Sequence, residues 1–243
     1  MMRKFAVFDI DGTFFRSHLF WEVVLELAKR EALHPKLNSY TVDLYERWKR
    51  REHKRSFEDF DGNSILALKE LVTELDPEIY DSVMQEVITA KVDHVYRYPK
   101  ELLQTLKKDG YFILAISGSR QEEVDIFAKH HGFDDWIGQK FERTPDGKRY
   151  TGNIQATFKD KHLLLQNFIE KHNLTTKDSF GMGDTGGDIS LLEIVDNPIA
   201  FNPNHELLNH ARDHGWKVVV ERKSIAFSLV QKNGSYILES TNE

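Results

Sequence analysis

The stretch "AVFDIDGTFF", Ala6 to Phe15, decides how the chain is read. An apolar run that starts at Phe5 looks like a buried strand, yet Asp9 and Asp11 break it, and Gly12 and Thr13 follow. Two carboxylates at the end of a buried strand are costly unless something offsets their charge. A solvated turn, a cation site or a nucleophile would each account for them. The rest of the sequence has to choose.

Composition narrows the field. With 243 residues, 40% hydrophobic and 30% charged, the chain suits one large soluble domain or a domain carrying an insertion. A net charge of −6 gives no general pull towards nucleic acid or acidic membranes. The absence of cysteine excludes disulfides and thiolate metal ligands. Asp9 cuts the first apolar run well short of the roughly 7–15 residues of a secretory signal. "YFILAI" (Tyr111–Ile116) is far shorter than the roughly 20 residues of a membrane helix. The expectation is a cytoplasmic protein with no membrane or nucleic-acid partner. Oligomeric state leaves no mark in the sequence.

Outward from the opening stretch the chain has two textures. From about Ser17 to Val95 the pattern is helical, as in "HLFWEVVLELAKREAL", where Phe20, Val23, Val24, Leu27 and Ala28 recur at spacings of three and four. Elsewhere strands and helices alternate: "YFILAIS", "SFGMGD", "PIAFN" and "WKVVV" read as strands separated by helical segments, and Asp146-Gly147 turns a hairpin. Alternation of this kind predicts an α/β fold, a Rossmann-like core with a parallel sheet, ligands being bound at the carboxyl edge. The expected division is a core from 1–14 and 96–221, an inserted all-helical cap from 15–95, and a tail or edge element from 222–243.

Four pieces fall at or just beyond predicted strand ends: Asp9-Ile10-Asp11-Gly12-Thr13, Ser117-Gly118-Ser119, Lys161, and "GDTGGD" from Gly183 to Asp188. If Asp9, Asp11, Asp184 and Asp188 converge, two of them 4 Å apart repel by roughly 4 kcal/mol at an effective dielectric of 20. Hard oxygen donors without cysteine select Mg²⁺ to relieve that repulsion. Ser117, the Gly118 amide and Lys161 could hold phosphate oxygens. Carboxylate nucleophile, second carboxylate, cation, lysine and hydroxyl together make the inventory of phosphoryl transfer.

In this order, "FDIDGT", "ISGS", Lys161 and "GDTGGD" resemble the four motifs of the haloacid dehalogenase superfamily over nearly the whole chain. The helical insertion after the first motif and the "FERTPDGKRYTGNI" segment ahead of the lysine are similar to the phosphoserine-phosphatase-like branch, subfamily IB. The resemblance implies a phosphoric monoester hydrolase acting on a small phosphate ester. It implies Asp9 as nucleophile, Asp11 as acid and base, and Mg²⁺ held by Asp9, the Asp11 carbonyl and Asp184, with Asp188 assisting. It leaves a phosphotransferase or mutase, using the same nucleophile, and a non-catalytic binding protein as alternatives. In phosphoserine phosphatases a glutamate that binds the substrate's ammonium group stands close to the position of His18, with Glu22 a turn further on. That departure leaves the substrate open.

Other residues have plainer readings. Lys159 rivals Lys161, which is favoured on helix phase, and Ser119 and Thr185 suit turns or caps. Arg47, Arg51 and Arg55 in "RWKRREHKR" would share one helix face, as a solvated surface or, for Arg47 and Arg51, as cap arginines facing an anionic substrate. Apart from Trp48 that run lacks the aromatic residues that stack on bases. Phe14, Phe15, Phe20 and Trp21 are expected to be cap core, or else the wall of an apolar pocket.

Overall fold

The computed structural model describes residues 2–53, 55–156 and 160–242; for residues 40, 58, 61, 64, 65, 67, 68, 70 and 71 it describes the backbone alone. The chain opens with β1 (Arg3–Phe8) and four helices: α1 (Leu19–Lys29), α2 (Pro35–Lys49), α3 (Ser56–Leu71) and α4 (Pro77–Lys91). There follow α5 (Arg97–Lys108), β2 (Phe112–Arg120), α6 (Gln121–His131), β3 (Asp135–Arg143) and β4 (Tyr150–Gln155). The remainder is α7 (Lys161–Lys171), β5 (Leu174–Gly183), α8 (Ile189–Leu192), β6 (Asn197–Phe201) and α9 (His205–His214), then β7 (Lys217–Arg222), β8 (Ile225–Lys232) and β9 (Ser235–Asn242). These elements form two units, one of residues 1–18, 92–138 and 156–243, the other of residues 19–91 and 139–155.

In the first unit β1 pairs in parallel with β2 and with β5, so that Phe8 lies between Ala115 and Met182. β6 and β7 continue the parallel sheet beyond β5, and β8 and β9 extend it antiparallel. The alternation of β1 explains its burial on both faces. Phe5 and Val7 join Leu114, Ile116, Leu165, Phe168 and Leu191 in one cluster. Phe8 meets Phe14 and Phe133 edge-on, with ring centroids 5.8 and 6.1 Å away. Burying an aromatic side chain of this kind contributes about 1.5–3 kcal/mol. The carboxyl ends of β2, β1 and β5 therefore lie side by side, carried by apolar strands covered on both faces.

The second unit is organised around aromatic rings. Phe60, fully buried, has the rings of Trp21, Tyr45 and Trp48 at 4.8, 5.6 and 5.4 Å. Phe20 packs on Phe141 of β3, and Arg143 forms two hydrogen bonds to Asp81 of α4, at 2.9 and 2.6 Å. The unit is therefore not all helical, as the sequence suggests. β3 runs past Gly138 and pairs with β4, and the hairpin of residues 139–155 belongs with the helices because its inward ring and its arginine find partners there. Phe14 and Phe15 belong to the first unit instead; both are fully buried.

A further expectation gives way. Arg47, Arg51 and Arg55 do not share a helix face: α2 ends at Lys49, Arg51 takes a left-handed φ of +50°, and α3 begins at Ser56. The chain reverses there so that Trp48 can meet Phe57 and Phe60, while Glu52 gathers Arg47 and Arg50 at 2.9 and 2.8 Å. Residues 222–242 are mostly strand, β8 and β9 forming the sheet's outer edge. No described helix is long and apolar enough to cross a membrane.

Candidate active site

The site is built at the ends of three neighbouring strands of the first unit. Asp9 follows β1 directly, and its N–H donates to the Met182 carbonyl of β5 at 2.9 Å, which fixes the strand end. Ser117, Gly118 and Ser119 lie in the last turn of β2, which runs on to Arg120 rather than ending before Ser117. Lys161 opens α7, whose cap Asp160 accepts from the Leu163 N–H at 3.0 Å. Asp184 follows β5, and Asp188 closes a 3-10 turn, Gly186–Asp188. Lys159 lies outside the described residues.

Lys161 Nζ donates to Asp9 Oδ1 at 2.7 Å and to Asp188 Oδ1 at 2.6 Å, and all three residues are buried. Asp188 Oδ2 accepts the N–H groups of Asp184 and Thr185 at 3.1 and 3.0 Å. The Thr13 hydroxyl donates to Asp184 Oδ1 at 3.2 Å. Carboxylate oxygens of Asp9, Asp184 and Asp188 lie within 4.8 Å of one another. Gly12 is required at this edge: its φ is +83°, and a Cβ there would stand 2.2 Å from Asp184 Oδ2.

This arrangement carries too much negative charge for one lysine. Burial pushes the Asp9 carboxyl up to about 8; the Lys161 ammonium opposes that shift, and Asp188 and Asp11 add to it. Burial, then Asp9 and Asp188, hold Asp184 well above the usual carboxylate range. Burial works against the Lys161 ammonium too, but the charges of Asp188 and Asp9 overcome it and raise its pKa. The donor set is all oxygen, buried and in excess of its counter-charge, which fits a hard divalent cation. Asp9, Asp184 and Asp188 would hold it.

The Asp11 carboxylate does not join that group. The Ser117 hydroxyl donates to its Oδ2 at 2.6 Å and the Ser119 hydroxyl to its Oδ1 at 2.8 Å. Both serine hydroxyls are thus turned to Asp11, and the Ser119 N–H donates to Ser117 Oγ at 2.9 Å. Ser119 is the residue that the turn reading undervalues. Its signal is the spacing: residues two apart on an extended strand face the same side, so Ser117 and Ser119 point together.

The remaining candidates fall elsewhere. Glu22 is engaged by Lys91 within the second unit. His18 stands immediately before α1 and is half-buried. Arg47 is paired with Glu52, and Arg51 sits exposed after α2.

Residues 6–193 match a single family model, described as haloacid dehalogenase-like hydrolase. The chain belongs to that family. It is 24% identical over 232 residues to a histidinol-phosphatase of Neisseria meningitidis serogroup C, covering 90% of this chain and 99% of the relative. It is 25% identical over 208 residues to a phosphoserine phosphatase of Archaeoglobus fulgidus, covering 84% of this chain and 54% of the relative. Both curated relatives are by name phosphoric monoester hydrolases. The fold matches that of a solved phospho-aspartyl intermediate analogue of phosphoserine phosphatase, with a TM-score of 0.62 at 18% identity, covering 92% of this chain and 95% of that one.

Proposed function

We propose that this hydrolase is a Mg²⁺-dependent phosphomonoesterase that acts on a small phosphorylated metabolite through an aspartyl-phosphate intermediate. The observation that carries the reading is the division of the carboxylates. Asp9 lies in the cation-type cluster with Asp184, Asp188 and Lys161, whereas Asp11 is held apart by two serine hydroxyls. That division supports a reading in which one carboxylate attacks and the other transfers a proton. Bound Mg²⁺ would neutralise the carboxylates of Asp9, Asp184 and Asp188 and draw electron density from a phosphoryl oxygen.

The chain's own groups then do the following. An Asp9 oxygen attacks phosphorus, the bond to the ester oxygen breaks, and Asp11 gives that oxygen its proton. Asp11 next takes a proton from water as the water oxygen attacks phosphorus, which releases phosphate and restores the Asp9 carboxylate. Ser117 and Ser119 keep Asp11 oriented through both halves. Lys161 holds Asp9 in place through its bond to Oδ1 and supplies a positive charge beside the transferring phosphoryl.

Two relatives named for phosphates of amine-bearing alcohols support assaying that class of substrate first. The same proposal includes a cytoplasmic setting, supported by the lack of cysteine. Purified protein with Mg²⁺ is expected to release inorganic phosphate from a generic aryl phosphate with no acceptor alcohol present. Release only when an acceptor is added would point to a phosphotransferase or mutase. No turnover with any phosphate ester would point to a binding protein.

A further inference from the structure

We propose that Asp93, His130 and His131 form a binding site for a transition-metal dication such as Zn²⁺. One donor atom of each lies within 4.8 Å of the other two, and the three share no residue with the carboxylate cluster. Donors around tetrahedral zinc stand about 3.3 Å apart, given bonds of roughly 2.0–2.1 Å, so only a modest contraction is needed. Two of the three side chains are free to make it: Asp93 is 67% exposed and His130 44%. They already meet, His130 Nε2 lying 3.2 Å from Asp93 Oδ1.

His131 supplies the fixed wall. Its ring packs against Phe14 and Phe127 with centroids 5.2 and 4.5 Å away, and its Nε2 lies 2.8 Å from the Val92 carbonyl oxygen. Burial lowers its pKa, which favours the uncharged ring over the imidazolium. Both histidines close the last turn of α6, where the helix dipole favours a cation. Two imidazoles and one carboxylate suit Zn²⁺ or Cu²⁺ better than Mg²⁺. One group opposes: Lys100 Nζ lies 3.6 Å from Asp93 Oδ1, on an exposed side chain that can turn away to solvent. Val92 and Asp93 are where the chain re-enters the first unit, so a bound metal would pin that return to the end of α6.

The test is calorimetric titration of the zinc-free protein with Zn²⁺ in saturating Mg²⁺, comparing the unmodified chain with His130→Ala and Asp93→Asn. Both changes lie at exposed positions, and both variants are expected to melt with the unmodified chain when zinc is absent. The unmodified chain is expected to bind one Zn²⁺ that each variant loses or binds at least about tenfold more weakly. Its melting temperature should rise with Zn²⁺ by more than that of either variant. Superimposable isotherms for all three proteins, or no Zn²⁺ bound by the unmodified chain, would overturn the proposal.

Discussion

The strand-end site of the first unit and the helical second unit use charge in opposite ways. In the second unit the interior is aromatic, around Phe60, and charges are set mostly at its margins as pairs such as Arg30 with Glu86 and Arg47 with Glu52. Exposed pairs of that kind contribute little to stability. In the first unit Asp9, Asp188 and Lys161 are buried together with Asp184 half-buried beside them, and the lysine cannot balance three carboxylates. One region is packed for stability. The other holds an excess of negative charge that a cation would resolve.

The comparison can be broken first at Asp9. Asp9→Asn should lower kcat by about 10⁴-fold or more, as loss of a covalent nucleophile does. Its melting temperature at neutral pH without metal should change little, because burial already keeps Asp9 protonated up to about 8; retained turnover would end the nucleophile assignment. In the second unit Phe60→Ala should cost about 3–5 kcal/mol in denaturant unfolding, the range for a buried phenylalanine. A loss under about 1 kcal/mol would mean that the ring cluster does not organise that unit.

A finer probe is Ser119→Ala, which leaves Asp11 with one hydroxyl. It should reduce kcat by roughly 10–100-fold with little change in KM, since general acid–base catalysis is worth about 10²–10⁴ in all. An unchanged kcat would return Ser119 to a turn role. The smallest effect is thermal. Without metal, folded Asp9 keeps its proton up to about 8, against 3.8 for the unperturbed group. The folded state then binds more protons than the unfolded one, so this contribution to stability falls as pH rises through that window. Asp184 acts in the same direction. Mg²⁺ binds the ionised carboxylates, so at pH 8 it should raise Tm by about 5–10 °C at a hundred times its Kd, and by less at pH 5. An equal shift at both pH values would refute the link.

Much of the site could be read from local pattern. Asp9, Asp184 and Asp188 follow apolar strands so closely that their placement at one sheet edge needs only a parallel sheet. The hairpin at Asp146-Gly147 was visible too, but not the unit it packs in, which depends on Phe141 finding Phe20. The end of α2 was hidden by a run of charged residues that carries no period of its own. Trp48 reveals it only once Phe57 and Phe60 are seen to pack against it.

Sequence alone determined the class of chemistry, because carboxylates at strand ends, a lysine and glycine turns are demanded by the reaction and their order survives in one dimension. Tertiary structure decided which of these groups meet. The Asp11 carboxylate is met by hydroxyls that reach it from a different strand, 106 and 108 residues away. Lys161 reaches Asp9 across 152 residues and Asp188 across 27. Such contacts depend on which strands lie side by side, and pairing between distant strands is set by the burial of whole faces rather than by any local motif.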